Sequence, residues 1–291
     1  QMITNFGSCC IDHVYAVPHF VKPGETLPCT AYDVHPGGKG LNQSLALANG
    51  GAEVRHAGKI GKDGEFLKRL LTDNGINTSL LQVIDEPSGH ANIQVTPKGE
   101  NCIVLFGGAN RKIKIADIET VLTHCEPGEA LLIQNEISFL PELMRMADAA
   151  GQFIVFNAAP ITAEVANYPL ETVSMFIVNE VEGEGLTGET EPTAILSKME
   201  RLFPRAVIVL TLGKAGAWCS AGETRHYQAA TPVDAVDTTA AGDTFTGFFL
   251  SAWVDGVAPK ACLKRACRAA GIAVTRAGAA TSIPLKQEVD G

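Results

Sequence analysis

The sequence predicts an α/β protein with a mostly parallel central sheet, helices on both faces and a small β lid. Two observations carry this expectation. From about residue 130 onward, short apolar runs at 130–133, 153–156, 173–178 and 206–210 alternate with stretches of helical period. Examples of the latter are Leu140, Leu143, Met144 and Ala147, then Ile195, Leu196, Met199 and Leu202. Apolar runs of strand length separated by amphipathic helices are the pattern of βαβ units, whose strands are buried on both faces. The first third differs. Segments 92–96 and 102–106 flank the turn-rich Pro97-Lys98-Gly99-Glu100-Asn101, which predicts an antiparallel hairpin outside the main sheet.

Taken in chain order, an irregular stretch over 16–35 carries Pro18, Pro23, Gly24 and Pro28 and is assigned to the lid. Gly37-Gly38-Lys39-Gly40 then opens a helix whose first turn holds Asn42. The 92–106 hairpin completes the lid, giving lid segments at about 12–35 and 88–109. The strand–helix alternation follows, with right-handed connections. Phe245, Phe248, Phe249, Ala252 and Trp253 recur at helical spacing, so a buried helix begins near Gly242. No repeat, low-complexity tract or long linker divides the chain, and residues 1–291 read as one domain.

Composition narrows the functional classes. Against 23 basic residues stand 32 acidic ones, a formal charge of −9. Such a surface repels phosphate backbones and anionic lipid, so neither nucleic acid nor membrane is an expected partner. No apolar run approaches the roughly 18 residues of a membrane span; the stretch from Phe248 to Val254 stops at Asp255. Gln1 ahead of Met2 reads as a cloning scar before a native start, with no secretory leader, and the expected location is cytoplasmic. The 8 cysteines include no C-x-x-C, and the 7 histidines no H-E-x-x-H. Free, reduced thiols are therefore expected, and protein-bound zinc is not. Walker A, dinucleotide G-x-G-x-x-G and G-x-S-x-G motifs are also missing.

The polar residues gather where the apolar runs end: Gln134-Asn135-Glu136, Asn157, Asn179-Glu180 with Glu182, and Thr211 with Gly213. Open α/β sheets bind ligands beyond the carboxyl ends of their strands, although helix caps would leave a similar trace. Three glycines within Gly37–Gly40 let a backbone approach a ligand closely, with the Lys39 cation beside it. The same residues also suit a plain glycine turn before a buried helix. A second motif, Asp237-Thr238-Thr239-Ala240-Ala241-Gly242-Asp243, leads into the later helix. Unpaired N–H groups and the positive dipole end make that helix start an anion site, and Ala240, Ala241 and Gly242 leave room for a phosphoryl group. Asp243 would repel a phosphate unless its task is to take a proton from an attacking hydroxyl. A first-turn aspartate favoured by the dipole is the simpler alternative.

In this order, the two motifs resemble the signatures of the PfkB carbohydrate kinases, also called the ribokinase family, and the resemblance runs nearly end to end. Gly7-Ser8 with Asp12 is similar to that family's first sugar-binding strand exit. Asn179-Glu180-Val181-Glu182 resembles its N-x-x-E motif, and Thr211 to Gly216 its nucleotide loop. Residues 273–279 with Ser282 resemble its C-terminal loop. The similarity is closest to the ribokinases and implies a three-layer αβα sandwich with a β lid. It implies an ATP-dependent kinase phosphorylating a primary hydroxyl, most simply ribose to ribose 5-phosphate. Fructose, another sugar or a nucleoside is the alternative substrate, and a non-catalytic sugar sensor the remaining one.

The resemblance also distributes roles. Asp243 would be the general base beside an anion hole of Ala240, Ala241 and Gly242. Asp12, Gly38, Lys39, Asn42 and Glu136 would bind sugar. Thr211, Gly213, Gly216 and Cys267 would line the nucleotide site, with Asn179 and Glu182 acting through water on a Mg²⁺ that arrives with ATP. A potassium site would take the Asp237 carboxylate, the carbonyls of Thr239, Ala273, Arg276 and Gly278, and the Ser282 hydroxyl. One carboxylate among neutral oxygens suits a weakly hydrated monovalent ion better than Mg²⁺. Lids of two subunits would pair into a homodimer. One departure stands out: Cys10 occupies the place where ribokinases carry an asparagine, and a thiol is a poor hydrogen-bond partner for a sugar.

Overall fold

The computed structural model describes residues 1–291. Along the chain come β1 (Met2–Phe6), β2 (Cys10–Ala16), β3 (Ala31–Gly37), β4 (Glu53–Gly61), β5 (Leu81–Ile84), β6 (Gly89–Val95) and β7 (Asn101–Phe106). They are followed by β8 (Ala130–Gln134), β9 (Phe153–Asn157), β10 (Met175–Asn179), β11 (Val207–Thr211), β12 (Ala217–Ala221) and β13 (Thr224–Gln228). The helices are α1 (Lys39–Asn49), α2 (Glu65–Asp73), α3 (Ile115–Leu122), α4 (Leu140–Ala149) and α5 (Glu180–Thr187). Completing the set are α6 (Pro192–Leu202), α7 (Ala241–Val254), α8 (Pro259–Val274) and α9 (Lys286–Asp290).

A nine-stranded sheet runs in the order β13-β12-β11-β10-β9-β8-β1-β4-β5, and a four-stranded lid in the order β3-β2-β6-β7. All pairings of the large sheet are parallel except those of the β12–β13 hairpin at one edge. Alternate residues of each central strand feed opposite cores. Ala130, Leu132, Val155, Met175, Ile177 and Val209 join a cluster of 33 buried residues with α1, α2, α7 and α8. Leu131, Ile133, Ile154, Phe156, Phe176 and Ile208 join a cluster of 25 with α3, α4 and α6. Burial on both faces is why these strands read as unbroken apolar runs. The three-layer sandwich with its lid is the architecture the sequence predicts.

Three details differ from the sequence reading. Only residues 17–30 of the stretch expected to be irregular lack regular structure; Ala31 onward pairs with β2, placing His35 opposite Asp12. Pro36 is tolerated because β3 is an edge strand. β4 escaped notice because Arg55, His56 and Lys59 interrupt its apolar pattern. The fold buries the last two with partners: Lys59 Nζ pairs with Asp117 at 2.7 Å and donates to the Lys112 carbonyl at 2.8 Å. The β12–β13 hairpin was likewise not foreseen.

One close approach sets the geometry of the site. At Gly247 of α7, a Cβ would collide with the Cβ and backbone of Ala46 on α1. Glycine lets the two helices touch there, one turn beyond Asn42 and Gln43 on α1 and one turn beyond Asp243 on α7. The first turns of the two helices are thereby brought face to face.

Candidate active site

Parallel strands β1, β8, β9, β10 and β11 all deliver their carboxyl ends to one side, where a cleft of about 1260 Å³ opens between the large sheet and the lid. The predicted residues converge on it from distant parts of the chain. Asp12 comes from the lid, Gly38, Lys39 and Asn42 from the start of α1, and Glu136 from beyond β8. Asn179, Glu182, Thr211 and Gly213 line another wall, while Asp237, Thr239, Ala240, Gly242, Asp243 and Gly278 form the floor.

At the junction of α1 and α7 the Asp243 carboxylate is 7% exposed. Asn42 Nδ2 donates to its Oδ2 at 3.1 Å, and Gln43 Nε2 donates to its Oδ1 at 2.9 Å. Asn42 Oδ1 is buried without a partner, so this cleft-lining amide retains an unused acceptor. A sugar hydroxyl supplies the missing donor in chemical terms.

The opposite corner holds two carboxylates. Glu136 Oε1 accepts from the Ser8 hydroxyl at 2.6 Å and from the Lys39 N–H at 2.9 Å, which leaves Oε2 for a ligand. Burial pushes the Glu136 carboxyl above its ordinary range, against the lowering influence of Ser8 and Lys39. Asp12 is pushed up to about 6, chiefly by burial; His35 opposes the shift and Glu136 adds to it. Two partly desolvated carboxylates facing one cleft are acceptors for a polyhydroxylated ligand.

The α7 start presents backbone amides without acceptors. Ala240 takes a left-handed conformation with φ 61, a strained choice for a residue with a Cβ. The Ala241 N–H is given to the Thr238 carbonyl at 3.2 Å, whereas those of Ala240, Gly242 and Asp243 find no acceptor in the chain. Beside this turn, Asp237 Oδ1 accepts from the Thr239 N–H at 2.8 Å, and Oδ2 from the Gly278 N–H at 2.9 Å. Burial pushes the Asp237 carboxyl up, but these hydrogen bonds outweigh it and hold the group below its usual range. The 237–239 turn and the loop after α8 are thus tied together.

On the wall formed by the ends of β10 and β11, Asn179 caps α5 by accepting from the Glu182 N–H at 2.9 Å. Glu182 is buried, and burial raises its carboxyl. No group of three or more His, Cys, Asp or Glu side chains has metal-binding geometry. Not every predicted residue reaches the cleft. Cys267 lies in the core on α8, and Gly216, Ala241, Ala273, Arg276 and Ser282 stand behind the lining.

Sequence reasoning assigned nothing to Gln43 and Asn5, and only strand-exit positions to Gln134 and Asn157. Together they form a buried amide network against Asp243. Its trace was legible: Asn42-Gln43-Ser44 puts three polar residues in a row within a helix otherwise lined by Leu41, Leu45, Ala46 and Leu47. Buried polar side chains in such a helix must have partners.

Comparison with known proteins agrees with this geometry. Residues 1–286 match the pfkB family of carbohydrate kinases. The chain is 35% identical to a ribokinase of Haemophilus influenzae, covering 99% of this chain and 97% of that one. A ribokinase of Bacillus subtilis is also 35% identical, over 98% and 96% of the two chains. Among solved structures, a ribokinase of Arabidopsis thaliana complexed with ribose and ATP superposes with a TM-score of 0.86 at 29% identity, covering 99% and 96%. The family match, running over residues 1–286, shows that the chain belongs to the PfkB family of carbohydrate kinases.

Proposed function

We propose that this kinase transfers the γ-phosphoryl of ATP to the primary hydroxyl of ribose, giving ribose 5-phosphate. The observation that carries the reading is the pairing of a buried carboxylate, Asp243, with free amides of the same helix turn, in one cleft with Asp12 and Glu136. Asp243 accepts the proton of the attacking hydroxyl, and the amides at Ala240, Gly242 and Asp243 hold the phosphoryl oxygens. Asp12, Asn42 and Glu136 grip the sugar, with Gly38 and Lys39 beneath it, and Thr211 and Gly213 border the nucleotide.

Mg²⁺ supplied with the nucleotide would neutralise phosphate charge; Glu182, a buried carboxylate, would act on such an ion through water, and Asn179 holds the helix that carries it. A potassium ion is proposed between the 237–239 turn and the loop after α8. The carbonyls of Thr239, Arg276 and Gly278 accept no hydrogen bond, and the fully buried Ser282 hydroxyl, which donates to Ala279, keeps lone pairs for a cation. Lid pairing into a homodimer is supported by exposed apolar residues on β3 and β7, among them Val34, Val104 and Leu105. Eight free cysteines suit a reducing compartment, and we place the protein in the cytoplasm.

A second reading is favoured by Cys10, whose Sγ accepts from Asn110 at 3.5 Å instead of lining the cleft. With one polar sugar contact missing, a deoxysugar, fructose or a nucleoside becomes the competing acceptor. The deciding experiment is a panel of ribose, 2-deoxyribose, fructose and adenosine with ATP, read by ADP release. Fastest turnover on ribose is expected. Preference for another acceptor would replace the substrate, and no turnover on any would remove the kinase reading in favour of a sugar sensor.

A further inference from the structure

We propose that Gln43 is the positioning residue of the general base: it pins Oδ1 of Asp243 and leaves Oδ2 as the oxygen that takes the proton. This rests on the reading of Asp243 as the base. Gln43 is fully buried and does not line the cleft. Both hydrogens of its Nε2 are committed, one to Asp243 Oδ1 at 2.9 Å and one to Asn157 Oδ1 at 3.0 Å. Its Oε1 accepts from Gln134 Nε2 at 2.8 Å, and Gln134 Nε2 donates in turn to Asn5 Oδ1 at 2.9 Å.

The polarity of this chain of amides has one solution. Asn157 Nδ2 donates to the Ile177 carbonyl at 2.8 Å, and Asn5 Nδ2 to the Gly40 carbonyl at 2.8 Å. A backbone carbonyl only accepts, so each terminal amide must turn its oxygen inward, and Gln43 must face Asp243 with a donor. Flipping Gln43 would set its oxygen against Asn157 Oδ1 and the Asp243 carboxylate, and its NH₂ against that of Gln134. In a buried site such mismatches go unrelieved by water.

Asn42, on the other carboxylate oxygen, is held differently. Its Nδ2 bond to Oδ2 is longer, at 3.1 Å, and its Oδ1 has no partner. Asn42 lines the cleft and is free to turn towards a ligand, giving up Oδ2 to the acceptor hydroxyl. One oxygen of the base is therefore anchored and the other exchangeable. Fixing the base within hydrogen-bond reach of the reacting group is a positioning effect, felt in turnover and not in substrate binding.

The test is Gln43→Glu, which keeps the shape and the acceptor for Gln134 but presents oxygen to Asp243. Turnover should fall at least tenfold while KM for ribose and ATP stays within twofold. In an Asp243→Asn background the same change should alter the residual rate less than twofold, because the anchored base is already gone. Gln43→Met, uncharged and of similar length, repeats the test if the Glu variant lacks a cooperative melting transition. Parental turnover in these variants, an equal loss with and without Asp243, or failure of both to fold would overturn the proposal. Should Asp243→Asn alone keep full activity, the base reading itself fails; should it be inactive while Gln43→Glu is not, only the anchor fails.

Discussion

Replacing Asp243 by Asn removes the proton acceptor, and the surrounding hydrogen bonds determine what else it removes. Loss of a general base typically costs about 10²–10⁴ in rate, which is roughly 3–5 kcal/mol in the barrier. An amide is not an electrostatic copy of a carboxylate, because one of its two ends becomes a donor. Gln43 faces the site with a locked donor, so the new amide must turn its oxygen towards Gln43. Its NH₂ then meets Asn42, which presents a donor in the parent protein. Flipping Asn42 would let its Oδ1 accept from that amide, but would set its own Nδ2 in the buried place where Oδ1 has no partner. Either orientation leaves a buried donor unpaired, at a cost of about 1–3 kcal/mol. Losing the favourable interaction with the helix dipole costs about 0.3–1 kcal/mol, while the repulsion that Asp243 exerts on the buried Glu136 and Glu182 carboxylates is relieved. The variant is therefore expected to be less stable by about 1–3 kcal/mol, or about 2–12 °C in Tm for a chain of this size. Coupled measurement of ADP release, with Tm and calorimetric ribose and nucleotide binding, checks each part. Turnover within threefold of the parent would refute the base assignment, and a Tm equal to the parent's would refute the unpaired donor.

Further outcomes follow from other parts of the site. With the Asp12 carboxyl at about 6, kcat/KM for the sugar should fall as pH drops through 6, and Asp12→Asn should flatten that limb in a pH–rate profile. Stability runs the other way: a folded-state value raised from 3.8 adds stability below about pH 4 that is lost as pH rises through 6, so a melting series should show opposite slopes for binding and folding. Gly247→Ala should cost about 1–3 kcal/mol by forcing α7 away from Ala46, and turnover should drop with it; an unchanged Tm and rate would show that the helix contact does not set the site. Potassium added to an alkali-metal-free assay should raise turnover in the parent and not in Asp237→Ala, and a rate indifferent to potassium in both would remove the cation site. Light scattering at micromolar concentration should give a dimer through lids that leave Val104 67% and Phe106 53% exposed; a strict monomer would refute lid pairing.

The strands from β8 to β11 were legible because each is buried on both faces, and that environment writes a continuous apolar run into four neighbouring residues. Their polar exits, and the two glycine-rich helix starts, were legible because loop chemistry and helix termini depend on residues close together in sequence. So the chain's class, the side of the sheet where the cleft opens and the aspartate at the α7 start could all be read locally. β4 could not, because His56 and Lys59 are polar by type and buried only through partners that folding supplies. The parallel pairing of β2 with β6, the meeting of His35 with Asp12 and the approach of Gln43 to Asp243, 200 residues away, likewise left no local signature. Local pattern encodes period and residue chemistry. Contacts between distant segments depend on the crossing of packed elements, here the passage of α1 over α7 at Gly247, and a single chain carries no record of which of its amides will end up facing a carboxylate.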